Sequence, residues 1–420
     1  MQKWLYILIL ALPAALLGKL LDWRPSLIFA LALISLIPLA GLIGDYTDAL
    51  SEYVGEVAGG LLDATFGNAP EIIIGILLIT NVFYVADRLM IVQALIIGSI
   101  VSNALFVLGS SIFVGAARNG RMTFSADRAG SYASMLALAV AGLALPALAV
   151  FLGNATAKLD NPVDQVHLSV VVAIILLVSY FAYLSATIFH VGERAHLPRA
   201  RKGKRAKSEA GDEARAEHNA ELGTPVLGDH PGVNETEVER IVEAEEDDES
   251  IERRRLREKR RGHRKQIANA IVMLIFATIL TVVASVVLVS VMHEVIIRTA
   301  LTPFFVGFIL LPIITNAVEQ LGAIRAAYSG HMEETMAIAA GSSVQMILLV
   351  APLLVLISVA LGLTHPLTMV FSKLELIVVT LVTFVYALIS LDGETTWLEG
   401  WLLIAFYAMV AATAFFLPGA

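Results

Sequence analysis

The sequence predicts an all-α polytopic membrane protein with eleven transmembrane helices, arranged as one N-terminal helix and two inverted five-helix repeats. Three observations support this fold class: the apolar composition, the recurrence of long apolar runs, and a motif that occurs once in each half. Hydrophobic residues make up 57% of the 420 positions, charged residues make up 16%, and the mean hydropathy is +0.78. A soluble protein of this length would need a much more charged surface.

The apolar runs are long enough to cross a hydrocarbon core of about 30 Å. The first run follows Lys3 and resembles a signal peptide, but the chain continues directly into further spans, so we interpret the run as a first helix. The eleven predicted spans cover residues 4–20, 26–56, 60–84, 89–116, 129–151, 166–190, 267–292, 302–327, 334–361, 372–391 and 397–417.

One long polar stretch separates the first six spans from the last five. It holds 18 Lys and Arg and 18 Asp and Glu, so the formal net charge of −8 belongs to the rest of the chain. Nucleic acid is not an expected partner, because no basic surface of that kind is present. The absence of Cys excludes disulfides and thiolate metal sites. The predicted domains are an N-terminal helix in 1–25, a first repeat in 26–191, a cytosolic charged loop in 192–266 and a second repeat in 267–420.

The basic ends of this loop, together with Arg118, Arg121 and Arg128, indicate the cytoplasmic side by the positive-inside rule. Residues 235–261 have acidic residues before basic ones and could form a surface helix. A solvated linker is the alternative interpretation of the same stretch.

A repeated motif is the most informative feature of the chain. The third predicted span contains Gly67-Asn68-Ala69-Pro70-Glu71, and the eighth contains Thr315-Asn316-Ala317-Val318-Glu319. The next spans also match, with Gly98-Ser99-Ile100-Val101-Ser102-Asn103 against Gly341-Ser342-Ser343-Val344-Gln345-Met346. Because each half has an odd number of helices, the halves are inserted with opposite orientation. This pattern is typical of secondary transporters that bind their substrate near the membrane midplane.

Glu71 and Glu319 lie deep inside apolar spans, where an acidic side chain costs about 2.5 to 3.5 kcal/mol. The preceding residues allow the helix to loosen and turn carbonyl groups inward, which is tolerated only where they line a cavity. Carboxylates, the amides of Asn68 and Asn316, and Ser hydroxyls form an all-oxygen environment that suits a hard cation. Ca²⁺ is the first candidate and Mn²⁺ the second. Protons would compete with the cation, since two neighbouring carboxylates cannot both stay charged without one.

These motifs, together with Gly59–Glu71, Gln93–Gly109 and the terminal Asp392–Gly400, resemble a cation/proton exchanger of the calcium/cation antiporter superfamily. The resemblance covers nearly the whole chain outside the polar loop. It implies the eleven-helix fold and Ca²⁺ bound between the matched glutamates, with backbone carbonyls at Gly67 and Thr315. It also implies that the polar loop corresponds to a cytosolic acidic helix.

Further polar residues are expected along the transport pathway. Asp45, Asp48, Glu52 and Glu56 share one helix face, where they could concentrate cations or merely solvate a helix end. The chain has Thr315 where the family usually has Gly and Asp63 where it usually has Asn, and these differences bear on ion preference. The expected pathway residues are Gln93, Gln345, Ser99, Ser102, Asn103, Ser342, Ser343, Asp48 and Asp63.

The resulting hypothesis is a transporter rather than an enzyme, without a cofactor, that exchanges cytosolic Ca²⁺ for H⁺ by alternating access. Its expected surroundings are the lipid bilayer of a prokaryotic plasma membrane or of a vacuole-type organelle, and a homo-oligomer is left open. A Na⁺-coupled exchanger of the same superfamily is the nearest alternative and would need additional Na⁺ sites. A passive cation channel is a further alternative. An intramembrane aspartic hydrolase would require Asp motifs that Gly41–Asp45 does not supply.

Overall fold

The computed structural model describes residues 3–54, 59, 62, 65–80, 83, 85, 87–153, 161–189 and 235–417. The chain forms two units. The first comprises Met1–Leu184 and Ala270–Ala420, and the second comprises Ser185–Asn269. The described part of the second unit is helical. The predicted residue Asp63 lies outside the described residues.

Helices account for nearly all of the described secondary structure. Two short strands, β1 (Met122–Thr123) and β2 (Glu394–Thr395), pair antiparallel with Met122 opposite Thr395. A 3₁₀ segment, Lys3–Leu10, precedes the first helix. The helices are α1 (Ala11–Leu20), α2 (Pro25–Val54), α3 (Ala69–Thr80), α4 (Arg88–Asn119), α5 (Ala126–Gly153), α6 (Pro162–Phe189), α7 (Glu235–Arg298), α8 (Pro303–Thr315), α9 (Ala317–Tyr328), α10 (Met332–Ala360), α11 (Lys373–Leu391) and α12 (Trp397–Phe416).

Among the described residues, eight helices are long and apolar enough to cross a membrane, or nine if the bent pair α8 and α9 forms one span. This supports a multi-pass fold but does not reach the predicted number of eleven. The difference arises at the predicted spans 4–20 and 60–84, where the apolar helices found among the described residues are the shorter Ile7–Leu20 and Ala69–Thr80. A 12-residue helix rises about 18 Å, less than the hydrocarbon thickness.

The structure also differs from the sequence prediction at the end of the polar loop. The sequence left open a solvated linker or a surface helix over 235–261 and predicted a separate span over 267–292, whereas α7 covers both ranges as one helix of 64 residues. The physical reason is the lack of a helix breaker: the segment contains no Pro, and Gly262 is its only Gly.

Helix α4 lies at the centre of the first unit. The most apolar window of α4 is 89% buried, compared with 22% for α6. Close backbone contact with α8 makes this burial possible, because Gly98 packs directly against the backbone of Phe308. At Gly307 an added Cβ atom would lie 2.5 Å from the carbonyl oxygen of Ile91. Small residues therefore bring α4 and α8 together, as is common between membrane helices.

Three helices contain a π-helical segment: Ser102–Val107 in α4, Val306–Leu310 in α8 and Met346–Val350 in α10. Pro312 and Pro352 follow the latter two segments by two residues. A Pro within a helix lacks the N–H group and its ring clashes with the carbonyl of residue i−4, so the widened turn accommodates it.

The contact between α4 and α8 gives a test of this packing. We expect Gly98→Ala to lower the melting temperature, because the added methyl group would meet the Phe308 backbone, which cannot rotate away as a side chain can. Overpacking of this kind costs about 1 to 3 kcal/mol. The matched control is Gly341→Ala at the repeat-related position, where an added Cβ meets no described atom within 4 Å. Equal melting temperatures for the two purified variants would contradict this packing.

Candidate cation site

Two helix interruptions lie at the repeated motif. Asn68 is a turn residue between helical residues 65–67 and α3, and Asn316 separates α8 from α9, whose axes differ by 52°. Glu71 and Glu319 each lie in the first turn of the helix that follows. The first turn of a helix has unpaired N–H groups and the positive end of the helix dipole, which stabilise a nearby carboxylate.

The two asparagines connect the halves of the chain. The Asn68 Nδ2 atom donates to Gln345 Oε1 on α10 at 2.9 Å. The Asn316 Nδ2 atom donates to the carbonyl oxygen of Ser99 on α4 at 3.5 Å. Each interruption is thus tied to a helix from the other half, and each amide uses its donor group in that contact. The amide oxygen is the group of each side chain that can serve as a cation ligand.

Glu71 also makes a contact between the halves. Its side chain is 2% exposed and lies against the side chain of Thr315. The Thr315 hydroxyl in turn donates to the carbonyl oxygen of Leu311 at 3.1 Å. Glu319 is half-buried. The structure therefore brings together Glu71, Thr315 and the Asn316 interruption.

Several polar atoms near the centre of α4 are buried without hydrogen-bond partners among the described residues. These atoms are the Ser99 hydroxyl oxygen and both amide atoms of Asn103, and the Glu71 Oε2 atom shares this property on α3. Ser102, between them on α4, lies against the Tyr407 hydroxyl group. Buried polar groups of this kind are costly unless water or an ion satisfies them. Their presence fits a hydrophilic site that can accept a cation.

The donor set consists of oxygen atoms from different chemical groups. In the part of the chain that the structure describes, no three His, Asp or Glu side chains cluster to hold a metal ion. The ligands predicted from the sequence are two glutamates with amide, hydroxyl and backbone oxygens. The buried hydroxyl of Ser343 donates to the carbonyl oxygen of Ala339 at 2.9 Å and lies 3.5 Å from the carbonyl oxygen of Ile100. Ser342 is half-buried beside it.

Gln93 has a different position from that of Gln345. Its Nε2 atom donates to the carbonyl oxygens of Thr368 and Val370, at 3.0 and 3.1 Å, in the connection between α10 and α11. Met369 in the same connection donates its N–H to the Ser169 hydroxyl at 3.0 Å. This hydrogen bonding gives Gln93 a structural task, and its role in a pathway stays a prediction.

The predicted acidic face on α2 is only partly described. Asp45 and Asp48 are exposed. The side chain of Glu52 and the whole of Glu56 lie outside the described residues. A Cβ atom at Gly44 would lie 3.7 Å from Val318, so Asp48 follows about one helical turn after a contact with α9.

Glu375 is a second deeply buried carboxyl group, and it was not among the residues predicted from the sequence. Glu375 is 2% exposed in the first turn of α11, and its Oε2 atom accepts from the Ser372 N–H at 2.7 Å. The capping-box pattern S-x-x-E could have revealed it. Thr396 and Glu399 form the same motif at the start of α12, within the terminal run. That run also places Gly400 in direct backbone contact with Phe113 on α4.

The fold and the site together define a multi-pass membrane protein whose interrupted helices present buried carboxylates, as in ion transporters. The chain belongs to the sodium/calcium exchanger protein family, whose model matches residues 25–189 and 269–416.

Relatives with known names cover nearly the whole chain. It is 31% identical to a Ca(2+)/H(+) antiporter of Synechocystis sp., over 99% of this chain and 98% of the relative. It is 32% identical to vacuolar cation/proton exchanger 4 of Arabidopsis thaliana, over 98% of this chain and 81% of the relative. The solved structure of native YfkE matches with a TM-score of 0.71 and 25% identity, over 98% of this chain and 100% of that one.

The position of Gln93 leads to a test by hydrogen exchange. We expect Gln93→Leu to increase amide exchange at Met369 and its neighbours, because the substitution removes both hydrogen bonds to that connection. Gln345→Leu is the control, since Gln345 bonds to Asn68 instead. Mass spectrometry of peptides covering residues 361–372 measures the effect. Unchanged protection in Gln93→Leu would show that other contacts hold the connection.

Proposed function

We propose that the chain is a secondary transporter that exchanges Ca²⁺ for H⁺ at a site formed by Glu71 and Glu319. The observation that carries the proposal is the paired helix interruption, in which Asn68 and Asn316 each precede a glutamate in a first helical turn. The names of the relatives in Synechocystis and Arabidopsis support the same ions.

The proposed mechanism rests on charge balance at the two carboxylates. Two negative charges in a low-dielectric interior repel each other, so the site is stable with one divalent cation or with protons, but not empty. The first-turn position of each glutamate adds a favourable helix dipole. Alternating access follows if the loaded and protonated forms reorient and the empty, doubly charged form does not. Under this rule Ca²⁺ and H⁺ cross in opposite directions.

The proposed ligands supply the oxygen-rich environment that Ca²⁺ prefers. The Asn68 and Asn316 amide groups donate through nitrogen to Gln345 and to the Ser99 carbonyl, and an amide oxygen is a ligand that Ca²⁺ accepts. Backbone carbonyls at Gly67 and Thr315 would complete the set, with the unpartnered groups of Ser99 and Asn103 nearby. Mn²⁺ is a second candidate, because it shares the preference for oxygen ligands.

We further infer eleven spans in two inverted repeats. Contacts between connections support this architecture, because connections that lie an even number of spans apart share a membrane face. An ion pair between Arg121 and Glu394, 2.8 Å apart, joins the connection after α4 to the connection after α11. A second ion pair, between Arg128 at the start of α5 and Glu333 just after the connection that follows α9, has a distance of 3.1 Å. Lys19, in the last turn of α1, donates to the Ser290 hydroxyl, about two turns before the end of α7, at 2.7 Å. The cluster rich in Arg is the proposed cytoplasmic face.

The kind of membrane that holds the protein is proposed from its relatives, which include bacterial and vacuolar proteins. A bacterial plasma membrane and a vacuole-type membrane both maintain a proton gradient that can drive export of Ca²⁺ from the cytoplasm. Na⁺ coupling within the family remains the second candidate, because the matching family model is that of sodium/calcium exchangers.

Transport by the reconstituted protein tests the proposal. We expect an imposed pH gradient to drive ⁴⁵Ca²⁺ uptake into proteoliposomes, and we expect Glu71→Gln and Glu319→Gln each to abolish it, because neutral amides cannot balance a divalent cation. Glu375→Gln is the matched control, since Glu375 is as buried as Glu71 but belongs to a capping box, where Gln also serves.

Three results would overturn parts of the proposal. Uptake that follows a sodium gradient alone would replace H⁺ with Na⁺ as the coupling ion. Native uptake by either site variant would remove that glutamate from the mechanism. A continuous Ca²⁺ current, in place of saturable exchange, would indicate a channel.

The Thr315 side chain provides a finer test of ion binding. We expect Thr315→Gly to weaken apparent Ca²⁺ affinity about two- to tenfold, the loss that one hydrogen bond of roughly 0.5 to 1.5 kcal/mol gives, while exchange continues. The backbone carbonyl at this position would remain, and only the hydroxyl that contacts Glu71 would be lost. Competition of Mn²⁺ with ⁴⁵Ca²⁺ measures whether ion preference changes as well. An unchanged affinity would exclude the hydroxyl from the site.

A further inference from the structure

An apolar groove lies where α8, α11 and α12 meet, and its volume is about 170 Å³. Its floor consists of buried side chains from all three helices. Phe304 and Phe308 of α8 stack with ring centroids 4.9 Å apart, and Val378, Val410 and Ala414 complete the floor.

The groove opens sideways to the surface that faces the membrane. Met409 on its rim is 61% exposed, and α11 and α12 are both apolar spans. Phe304 and Leu374 lie in the first turns of α8 and α11, and Ala414 lies in the last turn of α12. The groove therefore lies close to one membrane interface, and hydrocarbon is the medium that reaches it.

The size of the groove limits what can fill it. An apolar cavity of about 150 Å³ holds a benzene molecule, so this groove accommodates a stretch of roughly six carbon atoms. Pockets that enclose a whole small molecule are larger, at about 300 to 1,000 Å³. A long and thin apolar chain with one end in the groove and the rest in the bilayer fits both limits.

We propose that the groove holds part of one acyl chain of a bilayer phospholipid, whose phosphate group lies near Lys373. Lys373 is exposed and directly precedes the groove residue Leu374. Its ammonium group lies 5.5 Å from the ring centroid of Phe151, which holds the charge at this end of α11. An anionic phosphate complements a positive charge at the interface, and the apolar chain below it reaches the aromatic floor.

The bound chain would support the part of α8 that packs on α4. Phe308 contributes its ring to the groove, while its backbone contacts Gly98 on the opposite side. Phe308 also belongs to the π-helical segment Val306–Leu310, which leads to the interruption at Asn316. An acyl chain in the groove therefore packs against the helix that enters the candidate cation site. The lipid site stands independently of the proposed exchange activity, because its test measures lipid labelling.

The test uses the full chain in vesicles that contain phosphatidylglycerol with a photoreactive diazirine on the acyl chain. We expect labelling at Met409 and Leu374 to exceed labelling at Ile377 and Leu381, which face lipid on α11 outside the groove. Ala414→Phe fills the floor and should remove this excess. Ala412→Phe makes the same change at an exposed position on α12 and should retain it.

A second variant tests the groove if Ala414→Phe does not fold. Thr413 lines the groove and is exposed, so Thr413→Phe covers the opening without entering the core, and it should also remove the excess labelling. Equal labelling inside and outside the groove in the native chain would overturn the proposal. Excess labelling that persists in folded Ala414→Phe or in Thr413→Phe would overturn it as well.

Discussion

The interruption of a helix at an asparagine, just before a buried glutamate, is the constraint on which the rest of the structure depends. A carboxyl group at the depth of Glu71 is tolerated only if hydrogen bonds and a helix terminus compensate for its lost hydration. The interruption supplies the terminus, but it also exposes backbone and amide groups that need partners. Gln345 and the Ser99 carbonyl provide those partners from the opposite half. Neither half could form this site alone.

The central position of α4 follows from the same requirement. To reach Asn316, the backbone of α4 must come close to α8, which is possible because Gly98 and Gly307 carry no side chains at the crossing. Further along α4, its backbone approaches α12 in the same way, through Gly109 and Gly400. The terminal run Asp392–Gly400 thus has a structural role: Gly400 allows α12 to pack closely against α4, and Glu399 caps the start of α12.

The multi-pass helical fold could be predicted from the sequence, because hydropathy reports directly on membrane spans. The ends of the helices could not be predicted in this way. Helix α7 continues from the polar loop into the next span because no residue breaks it, and α3 covers only Ala69–Thr80 of a longer apolar run. The hydrogen-bond partners of the side chains could not be predicted from the sequence either. Gln93 and Gln345 have the same chemistry, yet one bonds to a connection and the other to the interruption, because helix packing decides which groups each amide meets.

At the repeated motif, both halves of the chain interrupt a helix just before a glutamate, but the side chains around the two interruptions differ. Gly67 has no side chain, and no described atom lies within 4 Å of the position a Cβ would take, whereas its counterpart Thr315 has a hydroxyl in contact with Glu71. Asn103 presents a buried amide where the other half has Met346, and Glu71 is more deeply buried than Glu319. A repeat with identical ligands would hold a cation equally from both sides. The differences give the two glutamates unequal surroundings, so in the proposed exchange a proton and a cation need not occupy them in the same order during inward and outward movement.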